Sequence, residues 1–540
     1  MMTNAVVQPM SNRAMNLSHL LTQNARRLPD QPALIWGEES WGWRELDAQV
    51  SALAAGLQAR GVQAGSAILV HSKNSNEMFL SMFAAFRLGA IWVPTNFRVK
   101  PEELLHMVEV SGSTVFLCQT DFPEHAETVT RHFPQMDLLW LRGTPTPADS
   151  RPLVADLLRD HAGAVTPNAD VFSNSPCWLL FTSGTTGKPK AAVLTHGQMA
   201  FVLTNHLADL LPGTRSEDGG LVLAPLSHGA GVHQLNLVLR GAKTVLLPGD
   251  SFSTEQAFAL IEKYKLSTLF TVPTILKLLA ECPHIDQYDH SSLRHVIYAG
   301  APMYEADLRL ALEKFGPVLV QYYGLGEVTG NITVLPPFDH QGADGSISHP
   351  ASCGYERAGM QVSIQDEQGR EVAYGETGEV CVIGPAVFAG YYNNPKANAE
   401  SFRNGWFRTG DIGHMDERGY VYLTGRASDM YISGGSNIYP REIEEYILLH
   451  GAITEVAVVG VPDRQWGEVG VAVCVLKEGA ALTEAELRTW LTDRIARYKM
   501  PKYIQFWDSL PKSGYGKVPK RMVKDELMKC LPQLAQEAPC

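Results

Sequence analysis

The sequence predicts an α/β protein with largely parallel sheets covered by helices, followed by a β-rich stretch and a small C-terminal α+β domain. Three observations carry this reading. Helical and strand-like patterns alternate through most of the chain, short strands and turns take over after Gly375, and a compact mixture of helix and strand begins beyond Arg426.

The elements follow in order. Leu46, Val50, Leu53 and Leu57 recur at helical spacing, with Gly61 placed to end that helix. Residues 67–70 read as a buried strand, and Met78, Met82 and Phe86 mark the helix after it. The alternation returns with strands at 245–247, 268–272 and 296–298 around a helix over 258–264. Short strands are expected at 379–383 and 419–423. Pro440 opens a helix at a permitted first-turn position, with Glu442 and Glu444 near its positive end. Segments 456–459 and 471–475 read as paired strands. The domain boundary is placed after Arg426, giving 1–426 and 427–540.

Bulk composition narrows the function. A chain of 540 residues suggests three or four structural units at ~100–200 residues each. A net charge of −12 argues against nucleic acid or an anionic membrane surface as partner, while leaving room for local cationic sites. The cysteines are scattered without a C-x-x-C pair, which argues against zinc or a disulfide framework and fits a reducing compartment. No basic-then-apolar leader and no run of about 18 apolar residues occurs, so a cytoplasmic protein without a membrane span is expected. The oligomeric state is left open, a homodimer being compatible.

The chemistry begins after the apolar run Cys177-Trp178-Leu179-Leu180. There Thr182-Ser183-Gly184-Thr185-Thr186-Gly187-Lys188-Pro189-Lys190 combines close-approach glycines, hydroxyl donors and two lysines, as a triphosphate requires. It is not a Walker A loop, because only Thr185 and Thr186 separate Gly184 from Gly187-Lys188. A shorter Ser/Thr/Gly loop would read as a surface turn.

With this string the chain resembles the adenylate-forming superfamily of acyl-CoA synthetases, luciferases and peptide-synthetase adenylation domains, most closely in detail the aryl and medium-chain acid–CoA ligases. Further segments stand in the family's order. Pro225-Leu226-Ser227-His228-Gly229-Ala230-Gly231 is similar to the segment at the acyl pocket, and Ala299-Gly300-Ala301-Pro302 to the adenine-side loop. Gln321-Tyr322-Tyr323-Gly324-Leu325-Gly326-Glu327 resembles the segment that stacks an aromatic on adenine and holds magnesium. Thr409-Gly410-Asp411 resembles the ribose turn, Gly425-Arg426 the hinge, and 510–517 the segment with the catalytic lysine.

The resemblance implies two parallel-type α/β sheets plus a small β-rich subdomain in the N-terminal domain, and a mobile C-terminal domain. It implies ATP, Mg²⁺ and coenzyme A as cofactors, with a small-molecule carboxylic acid as substrate. Lys517 would bridge the acid and the α-phosphate, as a point charge suited to an anion that changes shape. Glu327 would hold the metal, Tyr323 face adenine, Asp411 accept from ribose hydroxyls, and Arg426 lie near ribose and phosphate. His228 would orient the acid, beside a pocket containing Gly229, Tyr298, Tyr322, Gly324 and Val328. Ser433, Gly434, Gly435 and Trp466 match positions lining the pantetheine tunnel, with Tyr498, Lys499 and Lys502 near the CoA nucleotide.

The chain departs from the family in three places. Gly326 stands where a threonine is common before the glutamate, with Thr329 the nearest substitute. Ala191 follows Lys190 where glycine is usual, and Ser428 fills the hinge position usually held by Asp or Lys. An acid–CoA ligase is the expected function. An amino-acid-loading module is disfavoured because 222–233 contains no Asp or Glu to meet an α-ammonium. Loading of an acyl carrier protein and a long-chain fatty acid–CoA ligase are the alternatives. A regulatory adenylate-binding protein is suggested by Gly326 alone, and luciferase-like oxidation is remote. Tyr322, where fatty-acyl members often have glycine, points to an aromatic or a short to medium acid, without naming it.

Overall fold

The computed structural model describes residues 11–144, 149–182, 188–249, 252–301, 303–342, 344–512 and 518–530. Alternation of apolar strands and amphipathic helices produces two large sheets, as expected, with antiparallel strands added at their edges. The first is 6-stranded, in the order Lys190–Thr195, Pro176–Thr182, Ile91–Pro94, Ala67–His71, Val115–Cys118, Asp137–Trp140. All but Lys190–Thr195 run parallel. Their near-continuous burial suits strands covered on both faces.

The second sheet is 9-stranded. Its parallel centre runs Leu319–Tyr323, His295–Tyr298, Thr268–Thr271, Gly219–Val222, Lys243–Leu246 and Pro32–Trp36. Antiparallel strands close both ends, Thr333–Leu335 and Tyr355–Glu356 at one and Glu39–Gly42 at the other. The expectation of largely parallel sheets therefore holds for the centres and yields to hairpins at the edges, where a short turn suffices.

The helices show the local rules that set them. Trp43–Ala59 buries Leu46, Val50, Leu53 and Leu57, and Gly61 beyond its end takes φ 89°. Ser75 caps Asn76–Leu88 by accepting from the Met78 amide, and Gly89 ends that helix in the left-handed region. A reciprocal box of Thr195 and Gln198 starts His196–Asp209.

The β-rich part pairs Gln361–Gln365, Gly378–Ile383 and Trp406–Met415 in antiparallel fashion, with Val421–Arg426 on the far side of the last. The expected strand at 419 starts two residues later, because Gly419 (φ 85°) completes a turn in which Asp416 Oδ1 accepts from the Arg418 and Tyr420 amides. The C-terminal domain is a 5-stranded sheet. Its long hairpin Ile453–Asp463 and Gly467–Leu476 aligns Val456 with Cys474 and Val458 with Ala472. Helix Pro440–Leu448 buries Ile443 and Ile447 against it.

Arg87 is a buried cation of the N-terminal domain, 1% exposed. Its guanidinium donates to Ser18 Oγ at 3.0 Å and Ser51 Oγ at 2.5 Å, and is ion-paired to Asp47. Stripping one partner from such a pair leaves an uncompensated charge. Arg87→Ala is therefore expected to cost about 3–5 kcal/mol, read as a lower denaturant midpoint, with Asp47→Asn costing less because Asp47 is more exposed.

Candidate functional site

Parallel strands deliver their following loops to the carboxyl edge of a sheet, and the site draws on such loops from both sheets. The carboxyl end of Pro176–Thr182 leads to the phosphate string, and that of His295–Tyr298 to Gly300 and Ala301. The carboxyl end of Leu319–Tyr323 leads to Gly324–Glu327, and Gly219–Val222 runs on to the segment holding His228. Thr182 and Lys190, the two ends of the phosphate string, pair across antiparallel strands. Ser183, Gly184, Thr185, Thr186 and Gly187 lie outside the described residues, as do Pro302 and Lys517. Lys188 is exposed, and the Lys190 ammonium sits 4.9 Å from the Tyr391 ring centroid.

One turn ties this strand pair to the second sheet. Glu327 is 6% exposed, and its Oε1 accepts from the Thr182 hydroxyl at 2.8 Å and the Tyr391 hydroxyl at 2.9 Å. No described residue bonds Oε2. That suits a carboxylate held by one oxygen with the other left for a hard cation that keeps most of its ligands as water and phosphate.

Four residues earlier in the same turn, Tyr323 donates to Asp411 Oδ2 at 2.6 Å. Burial, with the Asp411 carboxylate beside it, holds the Tyr323 phenol well above its ordinary pKa, so it stays a neutral donor. Arg426 Nε donates to Asp411 Oδ1 at 3.0 Å. Strand register makes this meeting local, for Asp411 and Arg426 are direct cross-strand partners. Both Asp411 oxygens are thus oriented, each with a further lone pair for a ligand hydroxyl.

The turn needs its glycines. A Cβ on Gly324 would lie 2.4 Å from Gly330 Cα, so the two backbones touch. A Cβ on Gly326 would meet Leu180 Cδ2 at 2.8 Å and Thr182 Cγ2 at 3.0 Å. The departure at Gly326 is therefore matched to Thr182, which supplies the hydroxyl on Glu327. Thr329 does not substitute, because its hydroxyl is tied back to the Val328 carbonyl at 2.7 Å.

At the acid side, His228 caps helix Gly229–Arg240 and shares a 2.9 Å bond between Nδ1 and Ser227 Oγ. Gly229 faces Phe270 and the Tyr322 hydroxyl, 3.2 and 3.9 Å from where its Cβ would be. Tyr322 bonds His233 Nε2 at 3.1 Å, and His233 stacks on Phe270 at 4.1 Å. Val328 is fully buried in the main apolar core. Tyr298 does not join this group, contrary to expectation. It pairs with Gln321 in the sheet and so points to the opposite face from Tyr322, bonding Gln321 and His340.

In the C-terminal domain Gly434 takes φ 56°, its amide donates to the Trp466 carbonyl at 2.8 Å, and a Cβ there would strike the indole at 2.7 Å. Ser433 pairs with Gly467, Gly435 is open, and Trp466 is 48% exposed, so this corner is surface and not interdomain core. Lys502 is ion-paired to Asp463, whose Oδ1 also accepts from the Trp466 amide at 2.9 Å. Exposed Tyr498 lies on the neighbouring turn, where Lys499 bonds Glu442 at 2.6 Å. Both lysines expected to face CoA phosphates are engaged within the domain. Sequence reasoning missed Tyr391, Phe270 and His233, whose partners lie far away in the chain.

Fold and site together point to one class of enzyme, in which a buried carboxylate turn joins two α/β sheets beside an aspartate–arginine pair. The chain belongs to the AMP-binding enzyme family, whose model matches residues 21–392, with the family's C-terminal domain at 442–517. It is an AMP-forming acid–thiol ligase working with ATP, Mg²⁺ and coenzyme A. It is 35% identical to a feruloyl-CoA synthase from an Amycolatopsis species, over 93% of this chain and 97% of that one. It is 34% identical to an indoleacetate–CoA ligase of Aromatoleum aromaticum, covering 94% and 98%. Among solved structures it superimposes on Bacillus subtilis o-succinylbenzoate CoA synthetase in complex with its acyl-adenylate. That match has a TM-score of 0.81 and 30% identity, covering 94% and 98%. Among the described residues no helix is long and apolar enough to cross a membrane.

Tyr323→Phe keeps the ring and removes the phenol that orients Asp411. A hydrogen bond to a charged group contributes about 1.5–3 kcal/mol. Calorimetric ATP affinity should fall at least about tenfold, with the fold retained.

Proposed function

We propose that the protein activates an aromatic or short to medium apolar acid, and that residues 1–426 and 427–540 divide the work. The carrying observation is the Tyr323–Glu327 turn, bonded on one side to the phosphate hairpin and on the other to the Asp411–Arg426 pair. The aromatic wall of Phe270, His233 and Tyr322, and the two relatives named for aryl acids, support the acid class. Buried, unpaired Cys118, Cys177, Cys282, Cys353, Cys381 and Cys474 support a reducing, cytoplasmic setting.

In the first step the substrate carboxylate attacks the α-phosphorus of ATP, forming acyl-AMP and releasing pyrophosphate. Two anions must approach, so cations matter most. Lys188 and Lys190 stand at the hairpin, Lys517 bridges carboxylate and α-phosphate, and His228 orients the acid. Glu327 would hold Mg²⁺, which neutralises phosphate charge. In the second step the CoA thiol, giving up its proton, attacks the acyl carbon, and AMP leaves with the C–O bonding pair. Ser433, Gly434, Gly435 and Trp466 form the corner that passes the pantetheine arm, with Tyr498, Lys499 and Lys502 at the nucleotide end. Lys499 and Lys502 would exchange Glu442 and Asp463 for phosphate. Acids of graded size, assayed with ATP, Mg²⁺ and hydroxylamine with and without CoA, test the reading. A panel in which only long-chain acids, or no acid, react would overturn the acid class.

Lys517→Ala is expected to lower acid-dependent pyrophosphate exchange ~10²–10³-fold. CoA attack on supplied acyl-AMP should stay near wild type. Near-normal exchange would move the role to another lysine.

The hinge is placed at Ser428, exposed in the turn where the Asp429 amide donates to the Arg426 carbonyl at 3.1 Å. Lys517 and the Gly434 corner serve different steps from one domain, so a rotation between steps is required. Among the described residues the Ser428 amide donates no hydrogen bond, so proline there acts by fixing φ. Ser428→Pro should spare adenylation and slow thioester formation at least about a hundredfold, roughly 2.7 kcal/mol of barrier. Single-turnover assays of each half-reaction decide it; wild-type rates in both would reject the alternation.

A further inference from the structure

Behind the Tyr323–Glu327 turn lies a buried cation that the site as described does not use. Arg357 is 1% exposed and follows the edge strand Tyr355–Glu356. Its Nε donates to Asp209 Oδ2 at 3.2 Å, and Asp209 lies at the end of helix His196–Asp209. The same carboxylate oxygen accepts from the Ala358 amide at 3.0 Å. One terminal nitrogen donates to Asn331 Oδ1 at 2.8 Å and lies 3.5 Å from the Gly330 carbonyl, and the other lies 3.4 Å from His206 Nδ1. The Arg357 amide donates to the Ile332 carbonyl at 3.1 Å. The whole fork is spent on one short segment and its neighbours.

That segment is a conformation the chain would not choose freely. Thr329 has φ 49° and Gly330 φ 79°, and a β-branched residue in the left-handed region persists only where its surroundings hold it. Gly330 presses on Gly324, and a Cβ on it would meet the Tyr322 ring at 2.5 Å. The turn from Thr329 to Asn331 is thus the back support of the stretch carrying Tyr322, Tyr323 and Glu327. A second line reaches the acid side: the His206 ring lies 4.8 Å from His233, which bonds the Tyr322 hydroxyl. Burial, and then the Arg357 charge, push both imidazoles down, His233 to about 3, so they pass on position and not charge.

We propose that Arg357 is a positioning residue for adenylation: by clasping the Thr329–Asn331 turn from behind, it fixes Tyr323 and Glu327 for ATP and Tyr322 for the acid. The inference rests on the site assignment above. A merely structural Arg357 would disturb stability or all substrates alike. A positioning Arg357 acts on ATP and the acid while sparing CoA, whose corner lies in the other domain.

Arg357→Lys keeps the charge opposite Asp209 and loses the planar fork. Its melting temperature, and the KM values for ATP, acid and CoA, would be measured beside those of wild type and Asn331→Ala. The expected result for Arg357→Lys is a folded protein with kcat/KM for pyrophosphate exchange down about thirtyfold. KM for ATP and acid rise together, and KM for CoA stays within twofold. Asn331→Ala, which removes only one bond of the fork, should show the same split more weakly, and the double variant should be no worse than Arg357→Lys. A folded Arg357→Lys with wild-type exchange, equal rises in all three KM values, or additive losses in the double variant would overturn the proposal. Should Arg357→Lys not fold, Asn331→Ala decides alone, with wild-type constants counting against the proposal. A wild-type enzyme without acid-dependent exchange would instead remove the function assigned above.

Discussion

The Thr182 hydroxyl crosses from the first sheet to Glu327 of the second, and the arrangement of the nucleotide site depends on that 2.8 Å bond. A carboxylate 6% exposed is costly unless its oxygens are met by donors, and two hydroxyls meet it here without neutralising it. An arginine or lysine in their place would cancel the charge needed for a divalent cation. Hydroxyl donors keep the charge and fix its direction. Because Thr182 ends one strand and Tyr391 lies between the β-rich strands Gly378–Ile383 and Trp406–Met415, the carboxylate joins three parts of the domain.

Asp411 uses the same device in another form. Asp411 is held by a phenol and a guanidinium, and the pair it makes with Arg426 follows from strand register. Arg426 is 47% exposed, so solvent screens this contact and its value lies in orientation more than in stability. A protein of net charge −12 can bind ATP because its cations are local. Lys188 and Lys190 stand at the end of the phosphate string and Arg426 is half-exposed beside Asp411, while Arg87 and Arg357 are already balanced by Asp47 and Asp209.

The fold was legible wherever a pattern had a period. The helix through Leu46, Val50, Leu53 and Leu57, the strand from Ala67, and the paired hairpin of the C-terminal domain all follow from spacing alone. At the site, contiguous chemistry singled out the Tyr323–Glu327 turn, whose side chains the structure bonds to Thr182, Tyr391 and Asp411. Misplacing Tyr298 was avoidable, because alternation within 295–298 sets it on the face opposite Ile297. Tyr391, Phe270, His233 and Arg357 were not legible. Each acts through a partner dozens of residues away, and nothing local distinguishes a tyrosine that donates to a buried glutamate from one that fills a core. The same holds for Lys499 and Lys502, whose partners Glu442 and Asp463 come from other elements.

The departures from the family pattern show how little a single position determines at such a site. Read alone, Gly326 removes a hydroxyl beside Glu327 and invites the thought of a damaged enzyme. In the structure the space a side chain would take at 326 is filled by Leu180 and Thr182, and Thr182 places its own hydroxyl on Glu327. A threonine at 326 would have to displace the group that already orients the carboxylate. Glycine there is therefore a consequence of how closely the hairpin approaches the turn. The constraint belongs to the packing of the Leu180 and Thr182 side chains against the turn, and the residue at 326 adjusts to it.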